Sequence, residues 1–226
     1  MPTLKEKFFI QLRKNQTVFG SSRADFLKAS GELKRSHCIL LPNFLEESLL
    51  REIHQEISKA KFYNRRDKGI AYESCMRKNA VFDYLHFLLN DGPLFEWIQK
   101  LTNCGPIRCF KGRLYQMASG KGYYDSWHSD MDGQRRIGLS INLSPQIYQG
   151  GIFQIRENSS PAKIHQMSNT GFGNAILFQL SHNLKHCVSA VEGDFPKMAF
   201  AGWFQNSPSF LTLIKEGKGG EKLAAR

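Results

Sequence analysis

Residues 123–144, YYDSWHSDMDGQRRIGLSINLS, contain the pattern on which the interpretation of this chain depends. The second half of the stretch alternates, with Ile137, Leu139 and two further apolar residues on one face and small or polar residues on the other. Such alternation predicts a strand that is buried on one side. His128 and Asp130 lie at the mouth of that strand. Two polar side chains in this place indicate either a surface loop or two of the ligands of a metal site.

The same alternation runs through the second half of the chain. In RCFKGRLYQM (108–117), Arg113 and Tyr115 share one face, and Phe110 and Leu114 share the other. Short apolar segments separated by turn residues follow, namely GGIFQIRE, NAILFQL, HCVSAV and KMAFAGWF. Many short strands at this spacing predict an antiparallel sandwich or barrel.

The first half of the chain has helical patterns instead. Residues 41–62 predict the end of a strand, a turn and an amphipathic helix, because Leu49, Leu50, Ile53 and Ile57 recur at helical spacing. Residues 80–104 predict two helices separated at Asn90–Pro93. The segment between these regions, 62–80, is polar and aperiodic and predicts a loop.

We therefore expect an α+β protein that forms a single domain over residues 1–226. It divides into a helical N-terminal support region (about 1–105), an antiparallel β core (about 106–206) and a flexible tail (207–226). At 41% hydrophobic and 23% charged residues, the composition is that of an ordinary globular protein. A chain of this length is sufficient for one sizeable core.

Several classes of protein fit the composition poorly. The chain has no apolar run long enough to cross a membrane and no secretory-type apolar segment near residue 1. Five scattered cysteines without a CxxC pair predict reduced thiols, as in a cytoplasmic protein. The net charge is +11, but the basic residues are dispersed, which argues against nucleic-acid binding and favours an anionic substrate or peptide. The sequence does not indicate an oligomeric state.

Two more residues in the β half extend the candidate site. His186 lies in the HCVSAV segment, and Lys197 begins KMAFAGWF. Two histidines and one carboxylate from neighbouring strands match the 2-His-1-carboxylate arrangement that holds Fe(II) and leaves coordination positions open. Lys197 shares a strand face with two alanines and Trp203, so it either extends to water or pairs with an anion, such as a dicarboxylate bound to the metal.

Each histidine and acid of this set has a competitor nearby. His182 is an alternative to His186, but SHNLKH reads as a turn that precedes the strand. Asp132 is an alternative to Asp130, which the HxD spacing and shared strand parity favour. His54 and His86 lie in the helical patterns and are interpreted as surface or core residues.

Taken together, these motifs resemble the Fe(II)/2-oxoglutarate-dependent dioxygenases, particularly the prolyl 4-hydroxylase-like branch. The resemblance covers roughly residues 106–205 and, more loosely, LPNFLEESLLREI. Its motifs are the segment from Tyr115 to WHSD, the GGIF hairpin, HCV and KMAFAGWF.

The resemblance implies a double-stranded β-helix core (a jelly roll, cupin-like) with N-terminal flanking helices. It implies that His128, Asp130 and His186 bind Fe(2+). It also implies that Lys197 anchors the distal carboxylate of 2-oxoglutarate and that Tyr115 hydrogen-bonds the same group. O2 is then a cosubstrate, and ascorbate is allowed as a reductant.

The implied reaction is hydroxylation of a C–H bond in a peptidyl residue or a small molecule. One alternative is a nucleic-acid demethylase of the AlkB type, but the paired arginines of that family are missing, since no arginine lies between Arg156 and Arg226. Related halogenases lack the acid that Asp130 supplies. A catalytically silent cupin-like metal-binding or sensor protein remains a further alternative.

Substrate selection is expected to depend on two segments near the barrel mouth, residues 64–80 and MDGQRR (131–136). Arg135 and Arg136 in the second segment are interpreted as a solvated strand edge, with contact to an acidic substrate as the alternative.

Overall fold

The computed structural model describes residues 9–120, 122–168 and 171–215 of the chain. Its helices are α1 (Arg23–Ser36), α2 (Glu47–Ile57), α3 (Ala80–Leu89), α4 (Gly92–Thr102) and α5 (Phe210–Lys215). Its strands are β1 (Ile10–Leu12), β2 (Thr17–Phe19), β3 (Cys38–Leu41), β4 (Phe62–Asp67), β5 (Ala71–Met76), β6 (Cys109–Met117), β7 (Tyr124–His128), β8 (Arg135–Asn142), β9 (Gln149–Gly150), β10 (Phe153–Glu157), β11 (Ile164–Met167), β12 (Ala175–Gln179), β13 (Leu184–Val188), β14 (Val191–Glu192) and β15 (Lys197–Gln205).

One large antiparallel sheet forms the centre of the molecule. Its strands follow the order β11-β10-β13-β7-β5-β6-β15-β8-β12-β3, and β4 pairs with β5 beside this path. The sheet curves until its two ends approach each other, so that the rings of His37, next to β3, and His165, in β11, lie 6.1 Å apart. This nearly closed barrel confirms the predicted double-stranded β-helix core.

The helices begin and end where side chains satisfy the free backbone groups. Ser22 and Asp25 form a capping box at the start of α1. Asn79 and Asp91 accept hydrogen bonds from the first turns of α3 and α4. The break between α3 and α4 agrees with the predicted interruption, and Pro93 lies in the first turn of α4.

The main core lies between these helices and one face of the sheet. α2 contributes Leu49, Leu50, Ile53 and Ile57, the four residues whose helical spacing predicted it. From β6, β8 and β15 come the apolar alternating residues, namely Phe110, Leu114, Ile137, Leu139, Ile141, Phe200 and Phe204. The opposite faces of β6, β8 and β15 are therefore turned towards the inside of the barrel, where Arg113, Tyr115 and Lys197 lie.

Residues 62–76 differ from the predicted loop, because they form the hairpin β4–β5, which joins the large sheet next to β6 and β7. The polar residues that concealed the strand pattern are paired with one another. Glu73 is 5% exposed in its side chain and forms ion pairs with Arg65 (2.9 Å) and with Arg113 of β6 (2.5 Å). A charged residue buried in ion pairs takes the place of an apolar one, so no hydrophobic alternation is visible.

The first hundred residues therefore contain sheet strands as well as the predicted helices. The division of the chain into support region, core and tail remains a prediction. Of the tail, α5 is described, and residues 216–226, part of the segment predicted to be flexible, lie outside the described residues. Among the described residues, no helix is long and apolar enough to span a bilayer.

Candidate active site

Three side chains that the sequence singled out meet inside the barrel. β7 and β13 pair with His128 directly opposite His186, and the two rings lie 4.4 Å apart. Asp130 reaches the same point from the turn after β7, with oxygens 3.7 Å from His128 Nε2 and 3.2 Å from His186 Nε2. The potential ligand atoms of all three residues lie within 4.8 Å of one another. Two imidazoles and one carboxylate at this spacing form a donor set that fits Fe(II).

His128 ends a strand, whereas the sequence analysis placed the HxD motif at the start of one. Asp130 is consequently oriented by its neighbours rather than by strand parity. The indole Nε1 of Trp203 donates a 2.7 Å hydrogen bond to Asp130 Oδ2. A terminal nitrogen of Arg135 lies 3.4 Å from Asp130 Oδ1. Such contacts around metal ligands fix the direction of the ligand atoms.

The ring of His128 is held in the same way. Its Nδ1 lies 2.6 Å from the carbonyl oxygen of Ser126 and 3.2 Å from a carboxylate oxygen of Asp125. A proton on Nδ1 satisfies both oxygens and leaves the lone pair of Nε2 directed towards Asp130 and His186. This is the tautomer that a metal ligand needs.

Electrostatics in the cluster favour a bound cation. Burial disfavours the charged form of Asp130, but its hydrogen bonds to His128 and His186 outweigh burial and hold its pKa below the usual range. Burial likewise lowers the pKa of His128, yet the two carboxylates Asp130 and Asp125 raise it to about 9. The two histidines thus favour the negative form of Asp130, and the two carboxylates favour a positive charge beside them.

Lys197 lies in the same pocket as the three clustered residues. The residue is only 4% exposed, and its Nζ donates a 2.9 Å hydrogen bond to the carbonyl oxygen of Gly151. Burial lowers the pKa of this amine from its ordinary value of 10.5 to about 8. The structure therefore excludes the sequence alternative in which Lys197 extends to water.

Tyr115 lines this pocket from β6, the strand next to β15. It lies opposite Ala199, and Lys197 lies opposite Met117. Burial is the main reason why the pKa of Tyr115 is raised, so its hydroxyl stays protonated at neutral pH. A phenol and an ammonium group on adjacent strands are both donors for a carboxylate.

The two competing residues lie away from the cluster. His182 is exposed in the turn before β13, where its carbonyl accepts a hydrogen bond from Asn158. Asp132 accepts hydrogen bonds from the backbone of Gln134 and Arg135 and so stabilises the turn before β8. Neither residue belongs to the cluster.

Sequence reasoning assigned no role to Asp125, Arg113 or Trp203 at this site, and it misjudged Arg135. Arg135 was interpreted as part of a solvated edge, but its side chain is 25% exposed and its guanidinium lies 3.8 Å above the ring of Trp203. Arg113 also lines the pocket, fixed by Glu73. The strand alternation that gave Tyr115 places Arg113 on the same face and was the signal for it.

Comparison with known proteins agrees with this geometry. Residues 112–205 match the model of the 2OG-Fe(II) oxygenase superfamily. No curated protein sequence matches the chain significantly. Among solved structures, an oxidoreductase of the 2OG-Fe(II) oxygenase family from Burkholderia pseudomallei aligns with a TM-score of 0.63 at 13% identity, covering 84% of this chain and 95% of its own.

Two prolyl hydroxylases have the same fold. A prolyl-4-hydroxylase from Pseudomonas putida aligns with a TM-score of 0.60 at 16% identity, covering 81% of this chain and 100% of its own. A prolyl hydroxylase from Trichoplax adhaerens was solved with a peptide fragment of the hypoxia inducible factor oxygen degradation domain. It aligns with a TM-score of 0.58 at 15% identity, covering 82% of this chain and 94% of its own.

Fold and sequence together define a double-stranded β-helix oxygenase. The chain matches the 2OG-Fe(II) oxygenase superfamily over residues 112–205, in agreement with the predicted resemblance to the prolyl 4-hydroxylase-like branch. It is accordingly a dioxygenase that uses Fe(2+), 2-oxoglutarate and O2.

Proposed function

We propose that this dioxygenase hydroxylates a C–H bond of a peptidyl residue or a small molecule. In this proposal His128, Asp130 and His186 bind Fe(II), Lys197 pairs with the distal carboxylate of 2-oxoglutarate, and Tyr115 donates a hydrogen bond to that carboxylate. When bound, iron and 2-oxoglutarate would supply the oxidising chemistry. The substrate C–H bond is hydroxylated with O2, and 2-oxoglutarate is converted to succinate and CO2.

The observation that carries the proposal is the position of a buried lysine in the pocket of the histidine and aspartate cluster. A buried ammonium group whose only hydrogen-bond partner in the described ranges is a neutral carbonyl is unfavourable. A dicarboxylate that reaches Lys197 with one end and the cluster with the other supplies the missing negative charge.

The remaining side chains hold the reacting groups in position. Trp203 and Arg135 orient the carboxylate of Asp130, and the Ser126 carbonyl fixes the ring of His128. Apolar side chains from neighbouring strands form the rest of the wall and exclude water: Phe153, Ile176, Phe178 and Val188. Rigid ligands in a dry pocket favour controlled oxidation over side reactions.

The neighbours bear on the type of substrate. A relative in fold acts as a prolyl hydroxylase and was solved with a peptide, which supports a peptidyl residue as one candidate. Cytoplasmic location and the use of ascorbate stay predictions from the sequence.

The test measures succinate formed from 2-oxoglutarate by the Fe(II)-loaded protein, with and without O2. We expect O2-dependent succinate even without added substrate, and loss of Mn(II) binding in His186→Ala but not in the matched variant His182→Ala. A protein that binds metal yet neither binds nor consumes 2-oxoglutarate would instead be the silent cupin-like alternative.

A further inference from the structure

A second cavity, of about 510 Å³, lies at the end of the barrel that contains Asp130. Its wall includes residues from three turns, 129–134 between β7 and β8, 158–163 between β10 and β11, and 180–183 between β12 and β13. Asp130 itself lies in the first of these turns. The volume is in the range of small-molecule sites, which extends from roughly 300 to 1,000 Å³.

Strands lead from this cavity directly into the pocket of the histidine and aspartate cluster. On β13, Leu184 lines the cavity and His186 lines the pocket. On β8, Ile137 lines the cavity and Ser140 lines the pocket, and β12 passes between the two in the same way. Leu184 and His186 are two residues apart on a strand, which corresponds to about 7 Å. A small molecule in the cavity can therefore extend to the proposed iron position.

The side chain of Arg135 lies between the two spaces. It lines the cavity, while its guanidinium contacts Asp130 at 3.4 Å and stacks on Trp203 of the pocket at 3.8 Å. Met131, next to Asp130, also lines the cavity. A molecule in the cavity therefore reaches the proposed iron position past these two side chains.

Most ionisable groups of the cavity already have partners. Arg135 is paired with Asp130 and with Asp132 (3.1 Å). Glu157 lies 3.1 Å from His37 and accepts a hydrogen bond from Ser159. Burial raises the pKa of the remaining thiol, Cys104, so it is uncharged at neutral pH.

Arg136 is the exception. It is half-buried in the cavity wall, and it makes no ion pair or side-chain hydrogen bond with any residue within 9–120, 122–168 and 171–215. The pairing of β8 with β15 shifts register at this point, since Ile137 lies opposite Phe204 and Arg135 lies opposite Gln205, and Arg136 is the extra residue of the irregularity. Its positive charge acts on the thiol of Cys104 in the same cavity wall, and no carboxylate among the described residues pairs with it.

We propose that this cavity is the substrate site of the oxygenase and that the substrate carries a carboxylate, which pairs with Arg136. The inference rests on the proposed function and narrows its substrate class. A guanidinium matches a carboxylate with two parallel hydrogen bonds, and one unpaired arginine suits a single carboxylate. The rest of the substrate extends past Arg135 and Met131, and one atom of O2 enters its C–H bond while the other enters succinate.

The test compares matched acids and amides as probes. N-acetyl-L-proline, N-acetyl-L-leucine and N-acetyl-L-phenylalanine are titrated, each beside its primary amide, into protein loaded with Mn(II) and 2-oxoglutarate. We expect at least one acid to bind roughly ten- to a hundredfold more tightly than its amide, the range given by charge-assisted hydrogen bonds. Arg136→Met should reduce this ratio to near one, and Arg136→Lys should restore part of it.

Arg108→Met is the matched control, because Arg108 is exposed and does not line the cavity. It should retain the preference of the wild type. Acids that bind no more tightly than their amides, or a preference that survives Arg136→Met in a folded variant, would overturn the inference. Failure of the proposed function itself would appear separately, as absence of O2-dependent succinate from the wild-type protein.

Discussion

At the residue scale, the site combines groups that a sequence pattern can predict with groups that it cannot. His128, Asp130, His186 and Lys197 are recognisable because their residue types are unusual beside buried strands. Asp125 has no such signal, since its importance comes from a 3.2 Å contact with His128, in a part of β7 where the pairing with β13 shifts register. Arg135 resembled a surface residue because its partners, Asp130 and Trp203, are distant in sequence or hidden by the turn.

Replacing Lys197 by methionine should stabilise the protein without ligand while abolishing 2-oxoglutarate binding. Burial lowers the pKa of Lys197 from 10.5 to about 8, so the charged amine costs the folded state on the order of 3 kcal/mol at pH 7. That cost is complete below pH 8 and vanishes as pH rises towards 10.5. Loss of the hydrogen bond to Gly151 offsets about 1 kcal/mol of the gain.

Thermal unfolding at pH 7 and at pH 10 measures the effect of this substitution. The Tm advantage of Lys197→Met should shrink at the higher pH, and Lys163→Met, at an exposed turn, should show no advantage at either. Calorimetric titration should show Mn(II) binding retained and 2-oxoglutarate binding lost. An equal loss of both would contradict the assigned role of Lys197.

Replacing Trp203 by phenylalanine should weaken metal binding. The variant loses the 2.7 Å hydrogen bond to Asp130 but keeps an aromatic ring beneath Arg135. Loss of such an orienting contact typically reduces metal affinity about 10- to 100-fold. Trp127→Phe is the control, because Trp127 is adjacent to His128 in sequence yet packs against Arg156 at 4.1 Å. Equal Mn(II) affinities of the two variants would mean that the indole does not position Asp130.

At the element scale, regular strands were predictable and the β4–β5 hairpin was not. β6, β8 and β15 show alternating apolar residues because one face of each packs on the main core. β5 is buried on both sides and uses Glu73 in ion pairs where an apolar residue is usual. Its periodicity depends on partners in other strands, so it cannot be recognised from residues 62–76 by themselves.

The turn between β9 and β10 contains Gly151, whose carbonyl accepts the hydrogen bond from Lys197, and it offers a prediction at this scale. Gly151 has a φ of 58°, and a Cβ there would lie 2.8 Å from Tyr148 and 3.1 Å from the Lys197 side chain. Gly151→Ala should therefore reduce both the stability and the affinity for 2-oxoglutarate. Left-handed backbone alone costs a residue with a Cβ about 1 kcal/mol.

Gly69→Ala is the control for Gly151→Ala, because it introduces the same backbone strain without crowding a neighbouring side chain. Gly69 has a φ of 75° in the β4–β5 turn, and an added Cβ meets nothing within 4 Å. In urea unfolding, the Gly69→Ala variant should lose the same backbone cost of about 1 kcal/mol. Its affinity for 2-oxoglutarate should stay at the wild-type value. If Gly151→Ala also keeps that affinity, the turn between β9 and β10 does not hold Lys197 in place.

At the scale of the whole molecule, the order of strands in the sheet is what sequence could not provide. β6 pairs with β15 along its whole length although the two are far apart in the chain, and β7 lies between β5 and β13. Pairings of this kind depend on how the sheet curves and closes. The residue pattern alone predicted an antiparallel sandwich or barrel, and the resemblance to a known family supplied the double-stranded β-helix.

This arrangement distributes the proposed ligand contacts over strands that are distant in sequence. His128 and His186 belong to the neighbouring strands β7 and β13, and Lys197 begins β15, separated from β7 by β5 and β6. Mn(II) and 2-oxoglutarate together should therefore bridge the sheet and raise the free energy of unfolding, by about 2.7 kcal/mol at a hundred times Kd. Hydrogen exchange should slow in β7 and β13 when Mn(II) is added, and in β15 only when 2-oxoglutarate follows. Protection of β15 by Mn(II) alone, or its absence with both ligands, would contradict the placement of the distal carboxylate at Lys197.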